Sequence, residues 1–141
     1  MNTDSEQLPD KPRPQPSAET APWWQALTEH RLVAQRCIDC GSLRLYPRPM
    51  CDRCYSMEYE WADLSGQGTV HSWSTSHHAF NPGFKRELPY LNITVDLKEG
   101  LRLLAPLTGA GDEGVHVGMP VVADFEDVDE SYTRLRFRRV E

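Results

Sequence analysis

The sequence predicts a mainly β protein: a short N-terminal helix, a small metal-bound ribbon, and a C-terminal five-stranded barrel. Three observations lead there. The four cysteines fall in two pairs, Cys37-Ile38-Asp39-Cys40 and Cys51-Asp52-Arg53-Cys54, with ten residues between them. Apolar and polar residues alternate through Tyr90–Leu97 and again through Leu101–Leu107, the period of half-buried strands. Gly-rich and acidic turn signals separate five such segments after Ser65.

The totals limit what the chain can be. Its 141 residues suffice for one domain with a small appendage. The apolar share is 39%, under the usual level of about 45–50%. Part of that deficit lies in residues 1–19, where Pro9, Pro12, Pro14 and Pro16 stand among charged and small polar residues. Such a stretch buries too little to offset its ordering entropy, so a flexible tail is expected. Residues 20–64 are assigned to the helix and ribbon, and residues 65–141 to the barrel. The net charge of −6 argues against a nucleic-acid binder, which needs a basic footprint. No apolar run has the roughly 18 residues of a membrane span, and the N-terminus has no signal-peptide pattern. Together with paired reduced cysteines, this gives an expected cytoplasmic location.

The elements follow in order. Thr20 is placed to cap a helix with Pro22 in its first turn. Trp23, Trp24 and Leu27 share one face of that helix. Two adjacent tryptophans exceed what so short a helix needs for packing, so either both cover the core or one meets a partner. Leu32–Arg36 enters the first cysteine pair, Leu43–Tyr46 leaves it, and Glu58–Asp63 follows the second. Ser65-Gly66-Gln67-Gly68 turns the chain into strands Thr69–Thr75, Tyr90–Leu97, Leu101–Leu107, Val121–Phe125 and Tyr132–Phe137. Glu126 to Glu130 is expected to be an acidic turn. Five short strands suit a Greek-key barrel of the OB type.

The cysteine spacing carries chemistry. Each CxxC lets one tight turn present two thiolates to one ion, and two turns close a tetrahedral site of Cys37, Cys40, Cys51 and Cys54. Such a site has no open coordination position and is structural. Zn²⁺ is expected. Spacing alone does not separate it from iron, and two disulfides or four idle thiols are the remaining alternatives. Gly41 supplies the backbone freedom the first turn wants, whereas Tyr55 stands where the second would carry glycine.

The order of these pieces resembles a known family. The aromatic helix precedes Gln35-Arg36-Cys37. Then come Tyr46-Pro47-Arg48-Pro49, the second knuckle, Trp61, and Gly66-Gln67-Gly68-Thr69-Val70 leading to Ser72-Trp73-Ser74. Pro89-Tyr90 and Gly118-Met119-Pro120-Val121 complete the series. Over roughly residues 22–138 this is similar to acyl-CoA-associated proteins that join a rubredoxin-like zinc ribbon to an OB-fold, a family long described as a domain of unknown function. The resemblance implies a non-catalytic subunit that binds or channels acyl-CoA. It implies a thiolase-superfamily partner, such as a steroid side-chain retro-aldolase, an acyltransferase or a condensing enzyme. By the same analogy the assembly is a heterotetramer.

A CoA site needs cations for phosphate and an apolar slot for the acyl arm. The connection from Ser76 to Pro89 offers Phe80, Phe84, Lys85 and Arg86 for those roles, the bland alternative being an ordinary exposed loop. His77 and His78 lack an evident nucleophile, so a surface or partner contact is preferred to catalysis. Arg48 is a candidate anion contact. Arg134, Arg136, Arg138 and Arg139 form a basic strip, read as balancing the nearby acidic residues or as a phosphate contact. A nucleic-acid module and a small stand-alone thioesterase using the histidines are the competing functions.

Overall fold

The computed structural model describes residues 10–109 and 111–140. Helix α1 spans Ala21–Thr28, with Pro22 in its first turn as expected. Thr20 precedes it but does not cap it. Its hydroxyl turns back to accept from the Ser17 N–H at 2.9 Å, while the Thr20 N–H points to the Ser17 hydroxyl at 3.2 Å. The helix ends in a Schellman arrangement: the His30 N–H reaches the Leu27 carbonyl and the Arg31 N–H reaches the Ala26 carbonyl, both at 2.9 Å. His30 takes φ +58°, a position where glycine is usual. Its ring lies parallel to Phe125 at 5.1 Å, and Nε2 bonds the Asp127 carboxylate at 2.9 Å, which locks the helix end onto the barrel.

The ribbon is a three-stranded antiparallel sheet in the order β2–β1–β3, from β1 (Val33–Cys37), β2 (Leu43–Arg44) and β3 (Tyr59–Asp63). The expected strand Leu43–Tyr46 is cut to two residues. Past Arg44 the chain must turn toward the second cysteine pair, and the Arg48 N–H is taken by the side chain of Gln35 at 2.8 Å.

The barrel strands are β4 (Gln67–Ser76), β5 (Tyr90–Leu97), β6 (Arg102–Pro106), β7 (Pro120–Asp129) and β8 (Tyr132–Arg139), ordered β6–β5–β4–β7–β8. Closure comes from a bridge between Leu107 and Phe137, supported by the Thr108 N–H donating to the Phe137 carbonyl at 2.8 Å. The alternation read from the sequence is realised: Leu91, Ile93, Val95 and Leu97 are buried and the residues between them are not. Phe137, Ile93, Leu103, Val70 and Val121 fill the interior, and Trp23, Ala26 and Leu27 of α1 join the same core with Leu32 and Val33. The architecture is the mainly β fold with one N-terminal helix that the sequence predicts.

The acidic stretch differs from expectation. Glu126 to Asp129 continues strand β7, and the turn shrinks to Glu130-Ser131. The reason lies in the register. Asp124 faces Arg136 and Glu126 faces Arg134 across the β7–β8 pair, so opposite charges match on one half-buried face. Residues 10–16, expected to belong to a free tail, run against the folded protein; residues 1–9 lie outside the described residues. Among the described residues, no helix is long and apolar enough to cross a membrane.

Candidate functional site

Two knuckles of matching geometry build the first site. In each, the first cysteine N–H donates to a serine carbonyl five residues on: Cys37 to Ser42 and Cys51 to Ser56, both at 2.9 Å. Each first-cysteine carbonyl accepts from the residue four on, Gly41 at 2.8 Å and Tyr55 at 3.0 Å. That closing residue needs a left-handed backbone. Gly41 has φ +78° and Tyr55 has φ +65°, so tyrosine holds a glycine conformation at the cost of strain, its ring turned out to solvent. The Ser56 hydroxyl also bonds Asp39, tying one knuckle to the other.

The four sulfurs lie within 4.8 Å of one another, Cys37 to Cys54 at 3.5 Å and Cys40 to Cys51 at 3.6 Å. Sulfurs held about 2.3 Å from one tetrahedral centre stand about 3.8 Å apart, so this set fits a single ion. The 3.5 and 3.6 Å separations are well beyond the roughly 2.05 Å of an S–S bond and match ligands around one ion better than the disulfide alternative. The electrostatics divide the thiols, favouring thiolate at Cys51 and Cys40 and opposing it at Cys54. The Ser42 hydroxyl, with the Cys54 and Arg53 N–H groups, pulls Cys51 down to about 6, and the same hydroxyl lowers Cys40. The Ser56 N–H acts to lower Cys54, but its sulfur neighbours, Cys37 first, and its partial burial push it up to about 12. Crowded sulfurs thus cannot all ionise without a cation between them. The cluster is a structural metal site.

Beneath the ribbon lies a buried polar joint that sequence reasoning missed. Gln35 is fully buried and its Oε1 accepts from Arg44 Nε at 2.8 Å and from the Arg48 N–H. Arg44 stacks over Tyr59 at 5.1 Å and donates to the Arg48 carbonyl at 3.0 Å. Tyr46 crosses from the ribbon to accept the Leu104 N–H of β6 at 3.1 Å. Arg48 itself is exposed and donates to the Leu45 carbonyl.

The second site is a groove of about 650 Å³ between α1, the β5–β6 edge and β8. Trp23, Trp24, Phe84, Tyr90 and Tyr132 line it. Trp23 meets Trp24 edge to face at 4.7 Å, and Trp24 leans on Tyr132 at 6.1 Å, so both tryptophans serve the wall. The Trp23 indole N–H is buried and has no hydrogen-bond partner among the described residues. The expected loop is ordered by a 3₁₀ turn over Pro82–Glu87, begun by the Asn81 side chain accepting from the Gly83 N–H at 2.8 Å. Of the four residues singled out there, Phe84 reaches the groove, packing on Tyr90 at 5.6 Å. Phe80 is 95% exposed, against His78 only among described rings, and Lys85 and Arg86 are exposed and off the lining. His77 and His78 lie beyond the end of β4, both exposed. In the basic strip, Arg134 pairs with Glu126 at 3.3 Å and Arg136 with Asp124 at 2.7 Å, so the charges balance, but Arg134, Arg136 and Glu126 are half-buried and line the groove; Arg139 donates to the Gly111 carbonyl.

Two family models match this geometry in tandem: the rubredoxin-like zinc ribbon domain of ChsH2 over residues 24–60, and the C-terminal OB-fold domain of ChsH2 over residues 61–126. A solved structure described as an Ltp2-ChsH2(DUF35) aldolase superposes with a TM-score of 0.81 at 37% identity, covering 90% of this chain and 98% of that one. The chain belongs to the DUF35 family. Among curated relatives, a DUF35 domain-containing scaffold protein of Methanocaldococcus jannaschii is 32% identical, with 76% of this chain and 77% of that protein covered. The benzoylsuccinyl-CoA thiolase subunit BbsA of Thauera aromatica is 33% identical, with 68% of each covered. A probable enoyl-CoA hydratase alpha subunit of Thermomonospora curvata is 38% identical over 91% of this chain. This DUF35 chain spans about two-fifths of the length of the hydratase-named relatives it matches.

Proposed function

We propose that this protein is a non-catalytic subunit that binds the acyl-CoA of a thiolase-superfamily partner and stabilises that partner. The observation that carries this reading is the groove. It is an aromatic-walled slot of about 650 Å³, in the range of small-molecule sites, while the four thiols of the ribbon form a closed structural site. The names of its relatives, a thiolase subunit, a scaffold and an aldolase complex, support the same role. In this reading Phe84 and Tyr90 flank the acyl or pantetheine arm. Phe80, Lys85 and Arg86, on the exposed connection, meet CoA phosphates or adenine at the partner boundary. The metal is Zn²⁺, the assembly is a heterotetramer with two copies on a dimeric enzyme, and the setting is the cytoplasm.

The test is reconstitution. The tagged full-length protein is purified with its native partner, identified by mass spectrometry, and each is assayed alone and together on CoA thioesters. The expected result is no turnover by this chain alone, full turnover by the pair, and a raised KM with Phe84→Ala. Turnover by the isolated chain rejects the non-catalytic assignment. Metal analysis returning iron in place of zinc corrects the ion.

A further inference from the structure

The groove is already partly covered by the chain itself. Lys11 forms an ion pair with Glu87 on the 3₁₀ turn, and its ammonium sits 5.4 Å over the Phe84 ring. Arg13 pairs with Asp129 at 2.7 Å and sits 5.3 Å over Tyr132 at the β7–β8 hairpin. These anchors stand on two different elements of the groove wall, and Lys11 and Pro12 belong to the lining between them. Gly83 is buried under this crossing: a Cβ there would lie 2.6 Å from the Asp10 carbonyl oxygen and 2.7 Å from Lys11 Cα. The contact is therefore a fitted one, made possible by the missing side chain.

The sequence explains why the segment is held by side chains. In Lys11-Pro12-Arg13-Pro14 each proline fixes an extended φ and removes an N–H, so the segment cannot join a sheet ladder. What remains are two ion pairs with cation–aromatic contacts: Arg13 with Asp129 is open to solvent on both sides, and Lys11, itself 17% exposed, meets the exposed carboxylate of Glu87. Interactions of that kind are individually weak and screened by salt.

We propose that residues 10–14 are a strap that closes the groove and is released by salt, so that entry depends on whether Lys11 and Arg13 hold their anchors. The closed state is the one in the structure. The strap goes beyond the acyl-CoA reading and does not depend on it, because it concerns access to Trp23 and Trp24 whatever the ligand.

The experiment uses the full-length, metal-loaded protein carrying Trp61→Phe and Trp73→Phe, which leaves Trp23 and Trp24 as the fluorophores. Acrylamide, a neutral quencher, reports their accessibility at low and high KCl. The expected result is a quenching constant that rises about two-fold between 20 mM and 1 M KCl as screening removes the anchors. The Lys11→Ala, Arg13→Ala variant starts at the high value and loses the salt response. Gly83→Ala also starts high, displacing the strap without removing a charge. Quenching that is the same in the parent and both variants overturns the proposal, as does a salt response that survives in the double variant. Hydrogen exchange of the β5 and β8 amides, unchanged in every variant, shows that the barrel itself has not opened.

Discussion

In the barrel, Phe137, Ile93, Leu103 and Val95 are enclosed, and strands β5 and β6 bury every second side chain. At the two cysteine knuckles the apolar residues face outward: Ile38 is 58% exposed, Met57 59% and Tyr55 70%, while Cys37 and Cys51 are wholly enclosed. The same chain thus uses two means of holding shape. The barrel is held by area removed from water. The ribbon tip has no apolar interior and is held by four convergent thiolates, where metal binding and local folding are one equilibrium. The difference teaches that the outward apolar side chains of the tip are free to meet a partner because they are not needed inside.

Removing the metal is the largest way to break this comparison. A structural zinc site of this kind carries on the order of 10–16 kcal/mol of apparent binding energy. Chelation, or Cys51→Ser, is expected to abolish exchange protection across residues 37–58 while β5 and β8 keep theirs, read by hydrogen exchange. Simultaneous collapse of the barrel would show that the two regions do not hold themselves separately. The converse cut is Phe137→Ala, which empties the barrel centre and is expected to cost about 3–5 kcal/mol in denaturant unfolding. The chelator concentration that strips the metal below the unfolding transition should not move.

A smaller effect is expected at the joint between them. Gln35→Ala leaves the Arg44 Nε–H and the Arg48 N–H without their acceptor, which is expected to cost about 1–3 kcal/mol. Because these groups belong to the ribbon, and Tyr46 of the same segment bonds the Leu104 N–H of β6, this variant should lower metal retention first and barrel stability less. The smallest effect sharpens the account of the hairpin. Asp129 is lowered from its ordinary 3.8 to about 2, by the Ser131 hydroxyl and N–H first and by Arg13 after them. A depressed carboxyl stabilises the fold above its unfolded value, and that contribution is lost as pH falls from about 4 through about 2. The Ser131 amide resonance should titrate in that window and lose its transition in Asp129→Asn.

Much of this was legible in the residues. The cysteine spacing specified the metal cluster because each tight CxxC turn fixes two sulfurs locally. Strand Tyr90–Leu97 was legible to the residue because one face is apolar throughout. What the sequence hid is what depends on register and distance. The acidic run Glu126–Asp129 reads as a turn by composition, yet it is strand because the arginines of β8 lie opposite. The groove assembles Trp23, Tyr46, Phe84 and Tyr132 from four separate segments, and its local signals were the paired tryptophans and Phe84 on the long connection. Thr20 has the right chemistry for a cap, but Ser17 competes for its hydroxyl.

The most direct test of the functional account is a titration of the ¹⁵N-labelled full-length protein with a non-hydrolysable acyl-CoA thioether, followed by amide shifts. The account predicts shifts concentrated at Trp23, Phe84, Tyr90 and Tyr132, with the Cys37–Cys54 knuckles unmoved. Shifts confined to the knuckles, or none at saturating thioether, would contradict it.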